Sequence, residues 1–402
     1  MAAENKSRIV IYSQDGLGLG HLRRNSRLSQ RLLAEARESS VLLLADSPVA
    51  PFFRLPDGVD HIKLPSIRKI RAGVWRPTRL RIETEELRLL RAALLRDAVL
   101  NFRPDLVLVD HMPVGAQGEL LPALAALKHS LPECSIVLGL RDILDTENVI
   151  VDTWKRDGAY DALRRYYDRV LIYGTRDLFD TARTYRLPET ARGIHYCGYV
   201  AGEDPIQPAS EIRRQIPFDR KQFVLVAAGG GADGHSLMRA YLGAVRSLGC
   251  RADFATLMAV GVNARPELFR ELTAEARGLP VQVVPYLEDY TSWLAAADLI
   301  VCMAGYNTLS EVCAFRKKAL VVPRSGPSAE QRMRAQLFAK RAMIDMIDPR
   351  DLSPSSLAQR LVADLERDDY PAKDTGIDTS GTRQAVARLL ELVGIRACGV
   401  TV

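Results

Sequence analysis

One stretch, residues 299–334, constrains the fold more than any other part of this 402-residue chain. It reads as strand, turn, helix, strand, loop and helix, with its landmarks at Leu299–Met303, Ala304-Gly305, Asn307-Thr308, Glu311, Ala319–Val322, Pro323 and Glu330-Gln331. This alternation is typical of a mostly parallel sheet, whose ligands bind at the carboxyl ends of the strands. The helix that opens after Gly305 also presents free N–H groups and a positive dipole end, which suit a phosphate. The stretch predicts a nucleotide-sugar site.

The same alternation of apolar strands and helices runs along the rest of the chain, which predicts the α/β class. Because 402 residues exceed what one core usually holds, we expect two Rossmann-like domains. Residues 199–210, with one Gly, two Pro and little apolar periodicity, read as the linker. The expected domains are 1–200 and 211–376. A helix and tail at 377–402 would follow, and packing back on the N-terminal domain is one arrangement for it.

Composition is that of a soluble globular protein, with 47% apolar and 26% charged residues. No apolar run approaches the roughly 20 residues of a membrane span, and the N-terminus lacks a signal-peptide pattern. Six scattered cysteines without a CxxC pair predict free thiols in a reducing compartment, so we expect a cytoplasmic protein. A net charge of +6 favours an anionic ligand or an anionic membrane surface, but identifies neither.

A glycine-rich turn, GLGLGH at residues 16–21, follows the first predicted strand. Glycines let the backbone approach a ligand closely, although this spacing is not the GxGxxG of a dinucleotide site. His21 stands where the turn becomes helix, so its imidazole could take a proton from a hydroxyl or a water. The alternative is a histidine that only hydrogen-bonds the loop. Gly18 and Gly20 are expected near an acceptor, and Arg23 and Arg24 could simply form the solvent-facing side of the helix.

Polar residues also end two later strands of the N-terminal half. Asp110 could orient His21, act as the base itself or bind an acceptor; alternatively, it caps the next helix. His111 follows it directly, and Asp142 ends the next strand at the same predicted sheet edge. We expect His111 and Asp142 on the acceptor side, with Asp142 the weaker candidate because an Arg–Asp pair is often structural.

The C-terminal half carries a second glycine run, Gly229, Gly230 and Gly231, between a strand and a helix. Successive backbone N–H groups there form a nest for phosphate oxygens, and a plain tight turn is the alternative. Further along, Glu311 is placed to accept two ribose hydroxyls. Asn307 and Thr308 are donor-site candidates that could instead cap their helix. Glu330 and Gln331 have groups that suit sugar hydroxyls. The alternative is that they complement the dipole of the helix that they begin.

Several function classes lack their motifs. The chain has no P-loop lysine motif, HExxH, GxSxG or cluster of metal ligands, so neither a metal nor a cofactor is expected. No helix-turn-helix is legible, and the basic segment 63–103 includes a single Trp, so a nucleic-acid partner is not expected. We interpret that segment as a loop, at residues 55–81, followed by a solvated helix face. The alternative is a flap that meets an anionic acceptor or lipid headgroups.

The order of features over Val283–Met343 resembles the donor-binding half of MurG-type glycosyltransferases, which use UDP-sugars. These GT-B enzymes have two Rossmann-like domains that face each other across a cleft. The resemblance implies that Glu311 holds the ribose and that the backbone of Leu287 meets the base. It further implies that Ala304-Gly305 and the following helix take the diphosphate, that Glu330 and Gln331 hold the sugar, and that His21 faces the acceptor. The chain looks most like a bacterial MurG-like group of glycosyltransferases.

Two departures from the family pattern leave alternatives open. The family often has two amides where this chain has Glu330-Gln331, and its histidine loop differs, so a lipid-linked acceptor does not carry over. The run His21-Leu22-Arg23-Arg24 is also similar to UDP-sugar hydrolases of nonulosonate pathways, in which the histidine activates water. We therefore expect an inverting, metal-independent transfer from a UDP- or TDP-sugar to a small-molecule or lipid-linked acceptor. The alternatives are a nucleotide-sugar hydrolase and a non-catalytic nucleotide-sugar sensor.

Overall fold

The computed structural model describes residues 6–14, 20–47, 55–71, 74–203, 206–231, 233–372 and 375–395, with only the backbone at positions 69 and 71. The chain divides into two compact units. Unit 1 comprises Met1–Val200 together with Asp378–Val402, and unit 2 comprises Ala201–Ile377. Both units contain a parallel sheet with helices, so the predicted α/β class with two Rossmann-like domains is confirmed.

Unit 1 is built on a seven-stranded sheet in the order β3-β2-β1-β6-β7-β8-β9, all of whose neighbours pair in parallel. Its elements are β1 (Arg8–Ser13), α1 (Gly20–Glu35), β2 (Ser40–Ala45), β3 (Val59–Lys63), β4 (Ile67–Arg71), β5 (Val74–Pro77), α2 (Thr84–Phe102), β6 (Leu106–Asp110), α3 (Leu121–Ser130), β7 (Ser135–Arg141), α4 (Glu147–Arg156), α5 (Ala159–Tyr166), β8 (Arg169–Tyr173), α6 (Thr181–Thr184) and β9 (Ile194–Tyr196). The apolar runs of β1, β6 and β8 are buried on both faces, as in other parallel sheets.

The prediction of a loop over residues 55–81 is wrong. The segment contains β3, which is an edge strand of the sheet, and an antiparallel hairpin formed by β4 and β5. These strands are short, and the side chains described on them are mostly exposed or half-buried. Their sequences therefore lack the continuous apolar runs by which the central strands were recognised.

Unit 2 has a six-stranded parallel sheet in the order β12-β11-β10-β13-β14-β15. Its elements are α7 (Ala209–Arg214), β10 (Gln222–Ala227), α8 (His235–Leu248), β11 (Phe254–Ala259), α9 (Pro266–Glu275), β12 (Val281–Val284), α10 (Tyr290–Ala296), β13 (Leu299–Cys302), α11 (Tyr306–Ala314), β14 (Lys318–Val321), α12 (Glu330–Lys340), β15 (Asp345–Met346) and α13 (Pro354–Glu366), and α14 (Gly381–Leu392) follows as part of unit 1. A single apolar cluster joins β10, β11 and β13 to α8 and α13.

The last helix, α14, packs against α1 and β8 of unit 1. Arg169 on β8 donates to the carbonyl oxygen of Arg388 at 2.7 Å and lies 3.0 Å from the carboxylate of Glu391. The chain thus returns to its first unit after unit 2. Among the described residues, the helices are too short or too polar to cross a membrane.

Candidate functional site

In both sheets the strand order reverses at one point, between β1 and β6 in unit 1 and between β10 and β13 in unit 2. Such a reversal opens a crevice at the carboxyl ends of the two strands, where α/β proteins bind ligands. His21 and Asp110 follow or end the strands at the first reversal. The glycine run and Gly305 follow the strands at the second.

The structure brings His21 and Asp110 into contact. β1 and β6 pair so that Ser13 lies opposite Asp110, and the chain leaving β1 enters α1 above that carboxylate. Nδ1 of His21, in the first turn of α1, is 2.9 Å from Oδ2 of Asp110. Asp110 is fully buried, whereas His21 is half-buried. The hydrogen-bond partners of Asp110 are side chains of α1, so the alternative that Asp110 caps the next helix is not supported.

Two further side chains of α1 bind Asp110. Nη2 of Arg24 donates to both carboxylate oxygens, at 2.6 Å and 2.7 Å, and Nδ2 of Asn25 donates to Oδ2 at 3.0 Å. The prediction that Arg24 faces solvent is wrong, since its side chain is 1% exposed. Its spacing of three residues from His21 was the available signal, because residues three apart share a helix face.

Charge keeps the Asp110 carboxylate ionised. Burial alone would raise the pKa of Asp110, but the charges of Arg24 and His21 and the hydrogen bonds that both make hold this pKa well below its usual range. A neutral His21 that donates Nδ1–H to Asp110 leaves a lone pair on Nε2, which can accept a proton. Nη2 of Arg24 also lies 2.8 Å from Nδ1, and a guanidinium can only donate. The two neighbours therefore favour opposite tautomers of His21.

His111, next along the chain, lies beside this pair. Its ring centroid is 5.1 Å from that of His21, and its backbone has φ 76° in the left-handed region. A non-glycine residue there costs about 1–3 kcal/mol and is most often found at functional sites. Burial, together with the charges of Arg141 and His21, lowers the pKa of His111 well below its ordinary value. His111 is thus a neutral imidazole at the reversal point of the sheet.

The remaining predicted acceptor residues divide into three cases. Gly20 begins α1 next to His21, and Gly18 lies outside the described residues. Asp142 is buried one position after β7, where its Oδ2 accepts a hydrogen bond from the hydroxyl of Tyr199 at 2.9 Å. That contact gives Asp142 a structural role within unit 1, which weakens the case for acceptor binding.

A buried polar network under the same edge was not predicted from the sequence. Arg91 of α2 donates to Oε1 of Gln14 at 2.7 Å and to Oε1 of Glu119 at 2.9 Å, and it lies 3.6 Å from Asp46. Gln14 in turn donates to Asp46 at 2.6 Å, and Tyr12 donates to Glu119 at 3.1 Å. The network fixes the end of β1, from which the glycine-rich turn departs. Its members lie as much as 107 positions apart, so local patterns could not reveal it.

In unit 2 the glycines of the run after β10 have different roles. Gly231 has φ 86°, and a Cβ there would lie 2.2 Å from the carbonyl oxygen of Val260, so packing requires glycine. A Cβ on Gly229, with φ 61°, would have no atom within 4 Å. Among the described residues, the N–H groups of Gly229 and Gly230 have no hydrogen-bond partner. Gly231 therefore supports the tight turn, and Gly229 and Gly230 offer free donors to an anion.

The start of α11 is the second candidate phosphate-binding element. Gly305 occupies the N-cap and makes no side-chain capping bond, so Asn307 and Thr308 lie inside the first turn. The alternative that these two residues cap the helix is therefore wrong. The carbonyl oxygen of Ala304 accepts a hydrogen bond at 3.1 Å from the buried Arg334, a contact that the sequence analysis missed. Arg334 follows Gln331 by three residues on the buried face of α12.

Glu311, on the second turn of α11, is fully buried. Ionisable side chains are seldom fully buried without a polar or ligand-binding role. Leu287 is half-buried in the segment after β12, next to Tyr286, whose side chain is 51% exposed. Both positions lie within unit 2, Glu311 after β13 and Leu287 after β12.

Glu330 and Gln331 begin α12, after β14. Glu330 is half-buried, and its N–H donates to Oγ of Ser328 at 3.3 Å. Oε1 of Gln331 accepts from the backbone N–H of Arg324 at 3.1 Å, which leaves the amide NH₂ as its donor. Nε of Arg324 is 2.9 Å from Oδ2 of Asp233, two residues beyond the glycine run. The loop after β14 thus meets the loop after β10.

Comparison with known proteins finds similarity to a family in the C-terminal part of the chain. Residues 224–389 match the glycosyltransferase family 28 C-terminal domain. A curated relative from Rhodococcus opacus is UDP-N-acetylglucosamine–N-acetylmuramyl-(pentapeptide) pyrophosphoryl-undecaprenol N-acetylglucosamine transferase, 29% identical over 203 residues. The alignment covers 50% of this chain and 52% of the relative. The predicted resemblance to MurG-type glycosyltransferases is confirmed, although the chain spans about half the length of the curated relatives it matches.

Solved structures extend the likeness in fold to the whole chain. MurG of Acinetobacter baumannii has a TM-score of 0.59 and 15% identity, and the match covers 97% of this chain and 99% of that one. UDP-GlcNAc 2-epimerase of Methanocaldococcus jannaschii has a TM-score of 0.63 and 9% identity, with 96% and 99% covered. At such identities the likeness establishes the fold alone, and one fold serves several reactions.

Proposed function

We propose that this protein transfers a sugar from a nucleotide-diphosphate sugar to an acceptor. Its C-terminal part matches the glycosyltransferase family 28 C-terminal domain, and its other unit contains a His–Asp pair. Unit 2 would bind the donor, a UDP- or TDP-sugar, and unit 1 would bind the acceptor. The observation that carries the proposal is the second reversal point. There the matched part of the chain contains the N–H groups of Gly229 and Gly230, a helix with glycine at its N-cap, and the buried side chain of Glu311.

The donor site follows from what those groups bind. The N–H groups of Gly229 and Gly230 and the first turn of α11 would bind the diphosphate, since both present donors and positive partial charge. Glu311 would accept hydrogen bonds from the ribose, and the backbone of Leu287 would meet the base. Glu330 and the amide of Gln331 would contact sugar hydroxyls. Asn307 and Thr308 lie in the turn that faces the phosphates.

In the proposed reaction, Nε2 of His21 takes the proton from an acceptor hydroxyl or amine while Asp110 holds the imidazole through Nδ1. The acceptor atom forms a bond to the anomeric carbon, and the bond from that carbon to the phosphate oxygen breaks. Its electron pair leaves with the nucleoside diphosphate, whose charge the glycine N–H groups and the α11 dipole stabilise. One displacement of this kind inverts the anomeric configuration.

The acceptor would lie against Gly20 and the neutral imidazole of His111. A neutral imidazole can donate through one ring nitrogen and accept through the other, which suits a hydroxylated acceptor. Both a small molecule and a lipid-linked sugar have this chemistry. We propose His111 as an acceptor-binding residue in either case.

Two other functions share this geometry. His21 could activate water in a nucleotide-sugar hydrolase, or the protein could bind a nucleotide sugar without turnover. Measuring nucleotide release with and without added acceptors distinguishes the three. A transferase releases nucleotide faster with an acceptor, and release at full rate in water alone would rule transfer out. Binding without turnover by both the wild type and His21→Ala would support the sensor.

Identification of the donor comes first. A thermal-shift screen of UDP, TDP, GDP and ADP and their sugars measures ligand binding to the native protein, because a ligand present at 100 times its Kd adds about 2.7 kcal/mol of stability. We expect UDP or TDP to raise the Tm. A screen in which none of the four raises it would contradict the donor site built around Glu311.

A surface of unit 1 supports peripheral contact with the cytoplasmic face of a membrane. Leu89, Leu90 and Leu94 of α2 and Leu80 before it are large apolar side chains exposed to solvent. Among the described residues, the neighbouring arginines have no ion-pair partner; these are Arg68, Arg76, Arg79 and Arg81. Exposed apolar side chains beside unpaired cations suit an anionic lipid surface.

Sedimentation with vesicles tests this contact. Wild type should bind vesicles that contain phosphatidylglycerol and should bind pure phosphatidylcholine weakly. The double variant Leu89→Gln/Leu94→Gln should lose most of that binding with an unchanged Tm, because both side chains are exposed. Equal binding by variant and wild type would place the contact elsewhere.

A further inference from the structure

Arg324 lies at the carboxyl edge of the unit 2 sheet, three residues after β14 ends at Val321. Its backbone is fixed because its N–H donates to Oε1 of Gln331 at 3.1 Å. Its side chain is 35% exposed and reaches the loop after β10, where Nε lies 2.9 Å from Oδ2 of Asp233, itself 46% exposed. The guanidinium therefore has a fixed base and a solvent-accessible head.

The partner of Arg324 places the guanidinium beside the proposed diphosphate site. Asp233 is two residues beyond Gly231, in the loop whose Gly229 and Gly230 offer free N–H donors. Strands β10 and β14 are the two neighbours of β13, and α11 begins after β13. The Arg324–Asp233 pair consequently joins the loops on both sides of the start of α11.

The pair itself is weak. It is partly exposed, and no aligned hydrogen bond accompanies the 2.9 Å approach of its atoms. Exposed pairs of this kind typically contribute about 0–1 kcal/mol. A phosphate offers the guanidinium two parallel hydrogen bonds, which are stronger and more directional. Exchange of Asp233 for a phosphate is therefore favourable once a diphosphate lies on the glycine run.

Arg334, the buried arginine of the same edge, cannot take this role. It donates to the carbonyl oxygen of Ala304, and its guanidinium lies over the ring of Tyr306 at 5.7 Å. Moving it would leave a buried carbonyl oxygen without its donor, which is costly. Arg334 shapes the turn before α11, whereas Arg324 has an exposed head that can reorient.

We propose that Arg324 is a catalytic residue that leaves Asp233 and binds the distal phosphate of the donor diphosphate. This assignment rests on the proposed function. When the bond between the anomeric carbon and the phosphate oxygen breaks, the electron pair stays on that phosphate, and the guanidinium stabilises the added charge. Asp233 therefore competes with the incoming diphosphate for Arg324. The pair thus selects nucleoside diphosphates over monophosphates and nucleosides.

Two substitutions with opposite expected effects test the assignment by calorimetry with UDP, UMP and uridine, or the matching series of the base found in the screen. Arg324→Gln should weaken diphosphate binding by about 10- to 100-fold, the value of a charged hydrogen-bonded contact, and leave nucleoside binding unchanged. Asp233→Asn releases the guanidinium and should strengthen diphosphate binding. Arg324→Lys keeps the charge without the bidentate geometry and should fall between wild type and Arg324→Gln.

The matched control is Arg239→Gln, which removes the cation of an exposed Arg–Glu pair between α8 and α9 of the same unit. It should leave all three affinities unchanged, which excludes a general effect of net charge. Equal diphosphate affinity in wild type and Arg324→Gln would overturn the assignment of Arg324 and leave the proposed function unaffected. Parallel losses of affinity in Arg324→Gln and Asp233→Asn would have the same consequence. A wild type that binds none of the four nucleoside diphosphates would overturn the proposed function and this assignment with it.

Discussion

The two carboxylate oxygens of Asp110 lie 2.6 Å and 2.7 Å from one nitrogen, Nη2, of Arg24. Both side chains are buried, so each charge depends on the other for the solvation that water would otherwise give. His21 contacts both groups through Nδ1. The pair therefore stabilises unit 1 and holds the imidazole of the proposed base in position.

Replacing Arg24 should destabilise the protein strongly. Arg24→Gln leaves the buried Asp110 carboxylate without its cation, and breaking a buried pair in this way costs about 3–5 kcal/mol. Urea denaturation followed by circular dichroism measures the free energy of unfolding. Arg31→Gln is the control on the same helix, because its pair with Glu35 is partly exposed and should contribute less than about 1 kcal/mol. Similar losses in the two variants would contradict the importance of the buried pair.

The lowered pKa of Asp110 gives a pH dependence of stability. Because its folded pKa lies below the unfolded value of about 3.9, the ionised carboxylate stabilises the fold at all pH values above that value. This contribution decreases as the pH falls below the unfolded value and is gone once the pH has passed the folded pKa. We expect the stability difference between wild type and Asp110→Asn to be constant from pH 7 to about pH 5 and to shrink below about pH 4. A difference that stays constant in strong acid would contradict the lowered pKa.

Replacing His21 should slow turnover without weakening the binding of the donor. General-base catalysis contributes about 10²- to 10⁴-fold, so His21→Ala should lower kcat by that factor while nucleotide affinity in unit 2 stays unchanged. Steady-state kinetics with calorimetry of nucleotide binding separates the two. His129→Ala removes an exposed imidazole of α3 and should leave kcat unchanged. If His21→Ala had the kcat of wild type, His21 would not be the base and another group would have that role.

The two outer glycines of the run should respond differently to alanine. Gly231→Ala would place Cβ against the carbonyl oxygen of Val260 in a left-handed backbone, so we expect a loss of about 3 kcal/mol or more in unfolding free energy. Gly229→Ala has open space and should lose only about 1–2 kcal/mol from its backbone conformation. It should nevertheless weaken nucleoside diphosphate binding, because its methyl group projects into that space. Equal stability losses in the two variants would contradict this division.

The sequence supports accurate prediction wherever apolar runs are long. The predicted strands Leu299–Met303 and Ala319–Val322 match β13 and β14 to within one residue, and helix α12 begins at Glu330 as expected. The hairpin β4–β5 could not be predicted, because exposed strands lack an apolar run. The spacing of His21 and Arg24 shows that they share a helix face, but not that this face turns inward. Burial of Arg24 is favourable because of its ion-pair partner Asp110, which lies 86 positions away in the sequence.

For the candidate site, the sequence shows which polar residues follow the strands, but it does not show which side chains contact each other. Parallel strands bring their carboxyl ends to one edge, so His21 and Asp110 could be expected near each other from strand positions alone. The Arg324–Asp233 pair and the Arg91 network depend on side-chain directions in loops and helices, for which a single sequence carries no periodic signal.

The register of β1 against β6 sets Ser13 opposite Asp110, so the pairing of these strands positions a group of the proposed proton transfer. Neighbouring residues of a strand point to opposite faces, so a slip of one residue would turn the Asp110 carboxylate away from His21. The buried side chains of Val107 and Val109 oppose such a slip. Substitutions in these two valines could therefore abolish turnover from a distance, by misaligning two strands and leaving every reactive group in place.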